Sequence, residues 1–391
     1  MGKIKLLNGE IITPDRNLGI GTVLIEDGKI LAVHTGDVEA PEFESVDAEG
    51  GYIMPGFIDI HTHGSGNHDF MDCTKEACLG IAKEHAKHGC TMLFPTTLAS
   101  DNAELFRFLD VYESVKDQTE GAAFGGLHLE GPYFAYAFRG AQDPKYLKNP
   151  SPEDYMPILE SGADIRRWSM APELPGALDF GRILVERGIL PSIAHTDAIY
   201  EDVLEAHDAG FSLITHFYSC MNGVTRREAF RYAGCIEAGY LIDDLNLEII
   251  GDGIHVPKPL LQLVLKVKST DNIVLCTDSM RGAGMPEGSE SILGSLEKGQ
   301  TVLIEDGVAK MPDRTCFAGS VATTERLVKT MHFIGGASLE DSVKMLTANP
   351  ARLMGYGSSK GRIQAGYDAD IVICDKDVNV MKTFVKGKRV F

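Results

Sequence analysis

Between residues 57 and 278 the chain alternates eight times between a short apolar strand and a stretch with helical periodicity. The strands read as 57–61, 91–96, 124–130, 168–172, 190–195, 213–217, 247–251 and 273–278. Helical stretches with glycine stops stand between them, such as Thr74–His88 before Gly89, Leu178–Arg187 before Gly188 and Tyr200–Ala209 before Gly210. Eight β/α units over roughly 250 residues are what a TIM (β/α)8 barrel requires. A doubly wound sheet is the alternative, but no glycine-rich phosphate turn follows the first strand. Both ends of the chain depart from the pattern. They read as short strands and turns: Ile4–Leu7, Ile11–Thr13, Thr22–Glu26 and Lys29–Val33 at one end, Ile371–Cys374 and Thr383–Val385 at the other. Neither end can bury a core alone. The expected architecture is therefore α/β, with a barrel over residues 55–356 and a small β-sandwich built from both termini, 1–54 and 357–391. Residues 294–312, with an Asp306-Gly307 turn, read as a β-hairpin inserted late in the barrel.

If the fold is a barrel, chemistry belongs at the C-terminal ends of its strands. The first strand, Phe57-Ile-Asp-Ile-His-Thr-His63, places Asp59, His61 and His63 on one face and Ile58 and Ile60 on the other. The third ends in Glu130, the fifth in His195, the sixth in His216 and the eighth in Asp278, while His255 follows the seventh. A lone histidine at a strand end is more often a hydrogen-bonded structural residue, and a lone aspartate is often a helix cap. Together at one rim they read as a metal site. Imidazoles and carboxylates that leave a coordination position open suit catalysis, and neutral imidazole suits Zn2+ and Fe2+. Such an ion lowers the pKa of bound water from 15.7 to about 7, and a neighbouring aspartate shuttles the proton. The pattern is that of a hydrolase.

The formal net charge of −19 disfavours nucleic acid or an anionic membrane as partner. Eight cysteines without a Cys-x-x-Cys pair read as reduced thiols, and the absence of any membrane-length apolar run leads to a cytoplasmic expectation.

The residues that carry these readings resemble the amidohydrolase superfamily, and within it the N-acetylglucosamine-6-phosphate deacetylases. The resemblance runs through Pro55-Gly-Phe-Ile-Asp-Ile-His-Thr-His63, His128-Leu-Glu-Gly-Pro132, Ala171-Pro-Glu173, Asp252-Gly-Ile-His255, Thr277-Asp278, Ala318-Gly-Ser320 and Asn349-Pro-Ala-Arg352. It implies that Glu130, His195 and His216 bind one divalent ion, Zn2+ or Fe2+. His61 and His63, with Glu130 bridging and Asp278 nearby, could hold a second, so one or two ions per subunit are expected. Asp278 becomes the general base and acid, and His255 polarises the acetyl carbonyl. Ala141, Gln142, Phe317, Ala318 and Gly319 fall where relatives contact the sugar and acyl group. Ser219, Cys220 and Arg227 fall at the phosphate-binding loop, in a family where a second subunit often completes the pocket, so a homodimer is expected. Two departures, Ser219-Cys220 and Met280-Arg281, leave open another N-acylated amino sugar, phosphorylated or not, or a different amide. The arginines 226, 227 and 231 have a plainer reading as a solvated helix face.

Other candidates have plain structural readings. His85 and His88 read as solvent-facing helix residues and Trp168 as core. Cys90, Cys276 and Cys316 read as inert thiols in apolar strands. His128 reads as a hydrogen-bonding partner behind the ligands, and Glu173 is as well explained by a structural hydrogen bond as by a place in the pocket.

Overall fold

The computed structural model describes residues 2–118 and 120–391, so Met1 at the start of the expected sandwich segment lies outside it. Eight parallel strands form the centre: β1 Phe57–Thr62, β2 Cys90–Pro95, β3 Leu127–Glu130, β4 Ile165–Met170, β5 Leu190–Ile193, β6 Leu213–Ile214, β7 Asn246–Ile250 and β8 Ile273–Cys276. Neighbours pair in parallel from β3 through β8, and β1 pairs with β2. Two single bridges close the ring, Thr96 to His128 between β2 and β3 and Thr62 to Ser279 between β1 and the end of β8. The Asp278 amide donates to the His61 carbonyl at 2.9 Å across that last seam. The result is the TIM barrel that the alternation predicts.

Helices follow the strands where the capping signals place them. Thr74 caps Lys75–Lys87, its hydroxyl accepting from the Ala77 amide at 3.2 Å, and Gly89 turns the chain at φ 86°. Ile58 and Ile60 point into the barrel, where they pack with Met92, Phe94, Leu213 and Val274, whereas Asp59 faces the helix layer, 3.7 Å from His85 Nδ1, and accepts from Thr277. An irregular register between Asp59 and Thr62 turns His61 inward to Glu248 all the same, so the expected single face for Asp59, His61 and His63 does not hold. The inside of the barrel departs from the usual filling of branched apolar side chains. Above that apolar layer it holds His128, Arg167, Ser169, Ser192, Thr215 and Glu248, all fully buried.

The two termini meet in one eight-stranded sheet. Tyr52–Pro55 runs antiparallel to Ile371–Cys374 and parallel to Ile4–Ile12. Period-two alternation gives this sheet two apolar faces. Ile371 and Ile373 join Leu6, Val23, Ile25, Ile53 and Phe384 in the sandwich core, while Val372 and Cys374 pack onto the barrel's outer layer. Two expected strands, 4–7 and 11–13, are a single strand in which a bulge at Asn8 (φ 57°) replaces the expected break. The inserted hairpin is a three-stranded meander, because Glu290–Leu293 alternates exposed and buried and adds a strand to Gln300–Glu305 and Val308–Lys310.

Candidate functional site

Six side chains from five strand ends converge at one mouth of the barrel. The His195 and His216 Nε2 atoms lie 3.2 Å apart, and Glu130 Oε1 is 3.5 and 3.2 Å from them. Beside them the His61 and His63 Nε2 atoms lie 3.3 Å apart, with Asp278 Oδ1 at 3.4 and 3.2 Å. Glu130 touches both groups, through Oε1 to His61 at 3.5 Å and Oε2 to His63 at 3.3 Å. Tetrahedral donors at zinc–imidazole bond lengths of roughly 2.0–2.1 Å stand about 3.3–3.4 Å apart. Both triangles therefore have the edges of a ligand set around a cation.

Two of the four histidines are oriented for this role by a partner on Nδ1. His195 Nδ1 lies 2.9 Å from the Phe138 carbonyl, which only accepts, so the proton sits on Nδ1 and Nε2 faces inward. His61 Nδ1 donates in the same way to Glu248 Oε1 at 2.9 Å. Gln142 donates to Glu130 Oε2 at 2.9 Å, while its own oxygen accepts from the Ala99 amide at 2.9 Å. The donor set thus fits a divalent cation, and the fit rests on its geometry and tautomers.

Electrostatics follow from the crowding. Burial alone would raise the Glu130 and Asp278 carboxyls, but the surrounding histidines outweigh it and hold both below their ordinary values. Burial would likewise lower His63, yet Asp278 and Glu130 push it up to about 10. Three of the six, His195, His216 and Asp278, have left-handed backbone at φ 47°, 30° and 47°. Non-glycine residues adopt this region at a cost of about 1–3 kcal/mol each, a strain typical of functional corners.

A cavity of about 460 Å³ opens over these residues. Ala141, Gln142, Ser219, Cys220, His255, Phe317 and Gly319 are among the residues that line it. His255 Nδ1 lies 2.8 Å from Asp252 Oδ2, and its ring packs against Phe317 at 4.6 Å. Burial acts to raise Asp252, but the hydrogen bond and charge of His255 keep it low and ionised. Ala318 does not line the cavity; it is buried with Met280, Leu293, Val302 and Ala309 beneath the meander. Arg227 also lies outside the lining. With Arg226 and Arg231 it sits on an exposed β-hairpin, Thr225–Arg227 and Phe230–Tyr232, where the sequence suggests a helix face, and its guanidinium lies over Tyr232.

Other expectations need correction. His85 is buried, with Nε2 3.1 Å from the Thr62 hydroxyl, and burial lowers its pKa to about 3. It falls on the apolar stripe of its helix with Cys78, Ile81 and Ala82, and that periodicity was the signal for burial. His88 is half-buried and lies 3.1 Å from Glu325. Arg281 does not line the cavity; it is buried, pairs with Asp72 at 2.5 Å and donates to the carbonyls of Asn67, Ile292 and Gly294. Cys316 is a half-buried thiol on the cavity wall, whereas Cys90 and Cys276 are buried in strands as expected. His128 hydrogen-bonds Ser169 and Thr96, Trp168 is core, and Glu173 accepts from Thr196 and the Asp197 amide.

Sequence reasoning missed Arg167, Glu248, Lys310 and Arg314. Lys310 ends the meander and Arg314 follows it; both line the cavity beside Glu305. Arg167 and Glu248 lie within strands; a charged residue amid apolar strand neighbours was the available signal.

Comparison with known proteins agrees with this geometry. Residues 52–390 match the amidohydrolase family. The chain is 32% identical over 378 residues to the N-acetylglucosamine-6-phosphate deacetylase of Lysinibacillus sphaericus, covering 94% of this chain and 92% of that protein. It is 28% identical to the N-acetylgalactosamine-6-phosphate deacetylase of Escherichia coli O157:H7, covering 93% of each. Its fold superposes on a mutant N-acetyl-D-glucosamine-6-phosphate deacetylase from Mycobacterium smegmatis, solved in complex with N-acetyl-D-glucosamine-6-phosphate, with a TM-score of 0.91, 27% identity and full coverage of both chains. A match over most of its length, resting on this barrel and this rim of histidines and carboxylates, means that the chain belongs to the amidohydrolase family.

Proposed function

We infer that the protein hydrolyses the acetamide of N-acetyl-D-glucosamine 6-phosphate, releasing acetate and D-glucosamine 6-phosphate in amino-sugar metabolism. The observation that carries this is the pair of donor triangles, Glu130–His195–His216 and His61–His63–Asp278, under a cavity walled by His255. The family uses a divalent cation, and a bound cation here acidifies water and polarises a carbonyl. We assign Zn2+ or Fe2+: Glu130, His195 and His216 would hold one ion, and His61, His63 and Asp278 would hold a second. The remaining chemistry belongs to the chain. Asp278, held ionised, accepts the proton of the attacking water and returns it to the departing amine. His255, backed by the Asp252 carboxylate, donates a hydrogen bond to the oxyanion that develops on the substrate.

Ala141, Gly319 and Phe317 bound the sugar and acyl group, and the Ser219 and Cys220 segment takes the phosphate side. Arg227 lies outside its own protomer's cavity, on a hairpin that also exposes Phe230. We place it in the cavity of a second copy, within a homodimer. The division into 1–54, 55–356 and 357–391 and a cytoplasmic location belong to the same proposal. No helix among the described residues is long and apolar enough to cross a membrane.

The test is acetate release from N-acetylglucosamine, N-acetylgalactosamine and their 6-phosphates, with metal analysis of the same sample. N-acetylglucosamine 6-phosphate should be preferred at least a hundredfold over N-acetylglucosamine. The Escherichia coli relative favours a second reading, in which N-acetylgalactosamine 6-phosphate is the better substrate. Comparable rates with and without phosphate would rule out both.

A further inference from the structure

Arg167 and Glu248 face one another inside the barrel, each fully buried. Removing two charges from water costs several kcal/mol per ion, and well-packed apolar side chains would often be at least as stable. Every arm of the arginine is nonetheless engaged. Nε donates to Ser192 Oγ at 3.0 Å, Nη1 to the Ile60 carbonyl at 3.3 Å and to Glu248 Oε2, and Nη2 to Thr215 Oγ1 at 2.8 Å and Glu248 Oε1 at 3.2 Å. The guanidinium is locked, and it locks the carboxylate. Glu248 Oε1 then accepts from His61 Nδ1 at 2.9 Å and from the His216 backbone amide at 3.1 Å.

This contact is asymmetric between the two donor triangles. In the first, Phe138 orients the His195 ring and Gln142 orients Glu130, and Glu248 meets only backbone. In the second, Glu248 fixes a ligand side chain directly, through the nitrogen opposite the donor atom. Partners of this kind set a ligand's tautomer and ring angle, and their loss typically weakens metal binding 10- to 100-fold.

We propose that the Arg167–Glu248 pair is a positioning element that holds His61 for the second cation and so decides whether the centre carries one ion or two. The inference rests on the cation sites proposed above. It concerns which residues act behind them, and Arg167 and Glu248 touch no substrate.

The experiment titrates cobalt(II) into metal-free full-length protein and follows its visible absorption, with bound metal counted after gel filtration. Wild type should take up two ions. R167M/E248M removes both charges together and leaves His61 Nδ1 without an acceptor. It should bind the first ion within threefold of wild type and the second 10- to 100-fold more weakly. R167M/E248Q restores a neutral acceptor and should recover most of the second site, which a mere packing role would not predict. If R167M/E248M does not fold, E248D keeps both charges but withdraws the acceptor, and the same selective weakening is expected. A variant that holds both ions as tightly as wild type, or loses both alike, overturns the proposal, as does a wild type that takes only one ion. A wild type that binds no cation instead overturns the proposed sites themselves.

Discussion

Glu130 lies within 3.5 Å of four imidazole nitrogens, so its charge and both its oxygens are committed to what the site holds. Glu130→Gln replaces one acceptor oxygen with a donor that faces histidine rings, and bound metal should fall below one tenth of the wild-type content by elemental analysis. Asp278→Asn should lower turnover about 10²–10⁴-fold, the usual range for a general base, while the Glu130–His195–His216 ion is retained. His63 supplies a pH dependence. Its pKa of about 10 means that the metal-free ring carries a proton at neutral pH, favoured by Asp278 and Glu130. A cation must displace that proton, so affinity should rise with pH up to about 10 and fall as acid is added. Calorimetry in buffers of different ionisation enthalpy would register the released proton. The ligands were legible in the sequence because each ends an apolar strand, where a polar residue is conspicuous. Gln142 was legible as a pocket residue but its hydrogen bond to Glu130 was not, since a loop's path has no periodicity to read.

At the level of elements, the loops are set by corners that the sequence does not advertise. His195, His216 and Asp278 occupy left-handed backbone that usually calls for glycine or asparagine, so the sharp turns after their strands could not be inferred. Gly140 is the opposite case, a glycine whose need is visible only in three dimensions. At φ 56°, an added Cβ would stand 2.6 Å from Cys220 Sγ and 3.6 Å from His195 Cε1. Gly140→Ala should therefore displace the wall beside His195 and raise KM at least fivefold in steady-state assays. Arg281 explains how the meander is held. Its removal leaves Asp72 and three carbonyls without their donor, so Arg281→Ala should cost about 3–5 kcal/mol in urea unfolding, the range for breaking a buried pair.

Across the whole molecule, the barrel was readable because strand and helix periods differ and alternate. The pairing of the termini was readable because neither end has enough apolar residues to stand alone. The polar barrel interior was hidden, since its members come from different strands and meet only when the ring closes. Likewise, the sequence could not show that one terminal sheet would serve two cores, with Ile371 and Ile373 on one side and Val372 and Cys374 on the other. A further consequence follows from the meander. Every proposed cation donor sits on the barrel rim, whereas Leu293 and Lys310, with Arg314 just beyond, reach the cavity from a three-stranded appendage outside the ring. One part of the cavity wall is thus written in a stretch of polypeptide that carries no cation donor. A directed-evolution library confined to residues 290–314 would re-tailor that part of the wall without rebuilding the engine beneath.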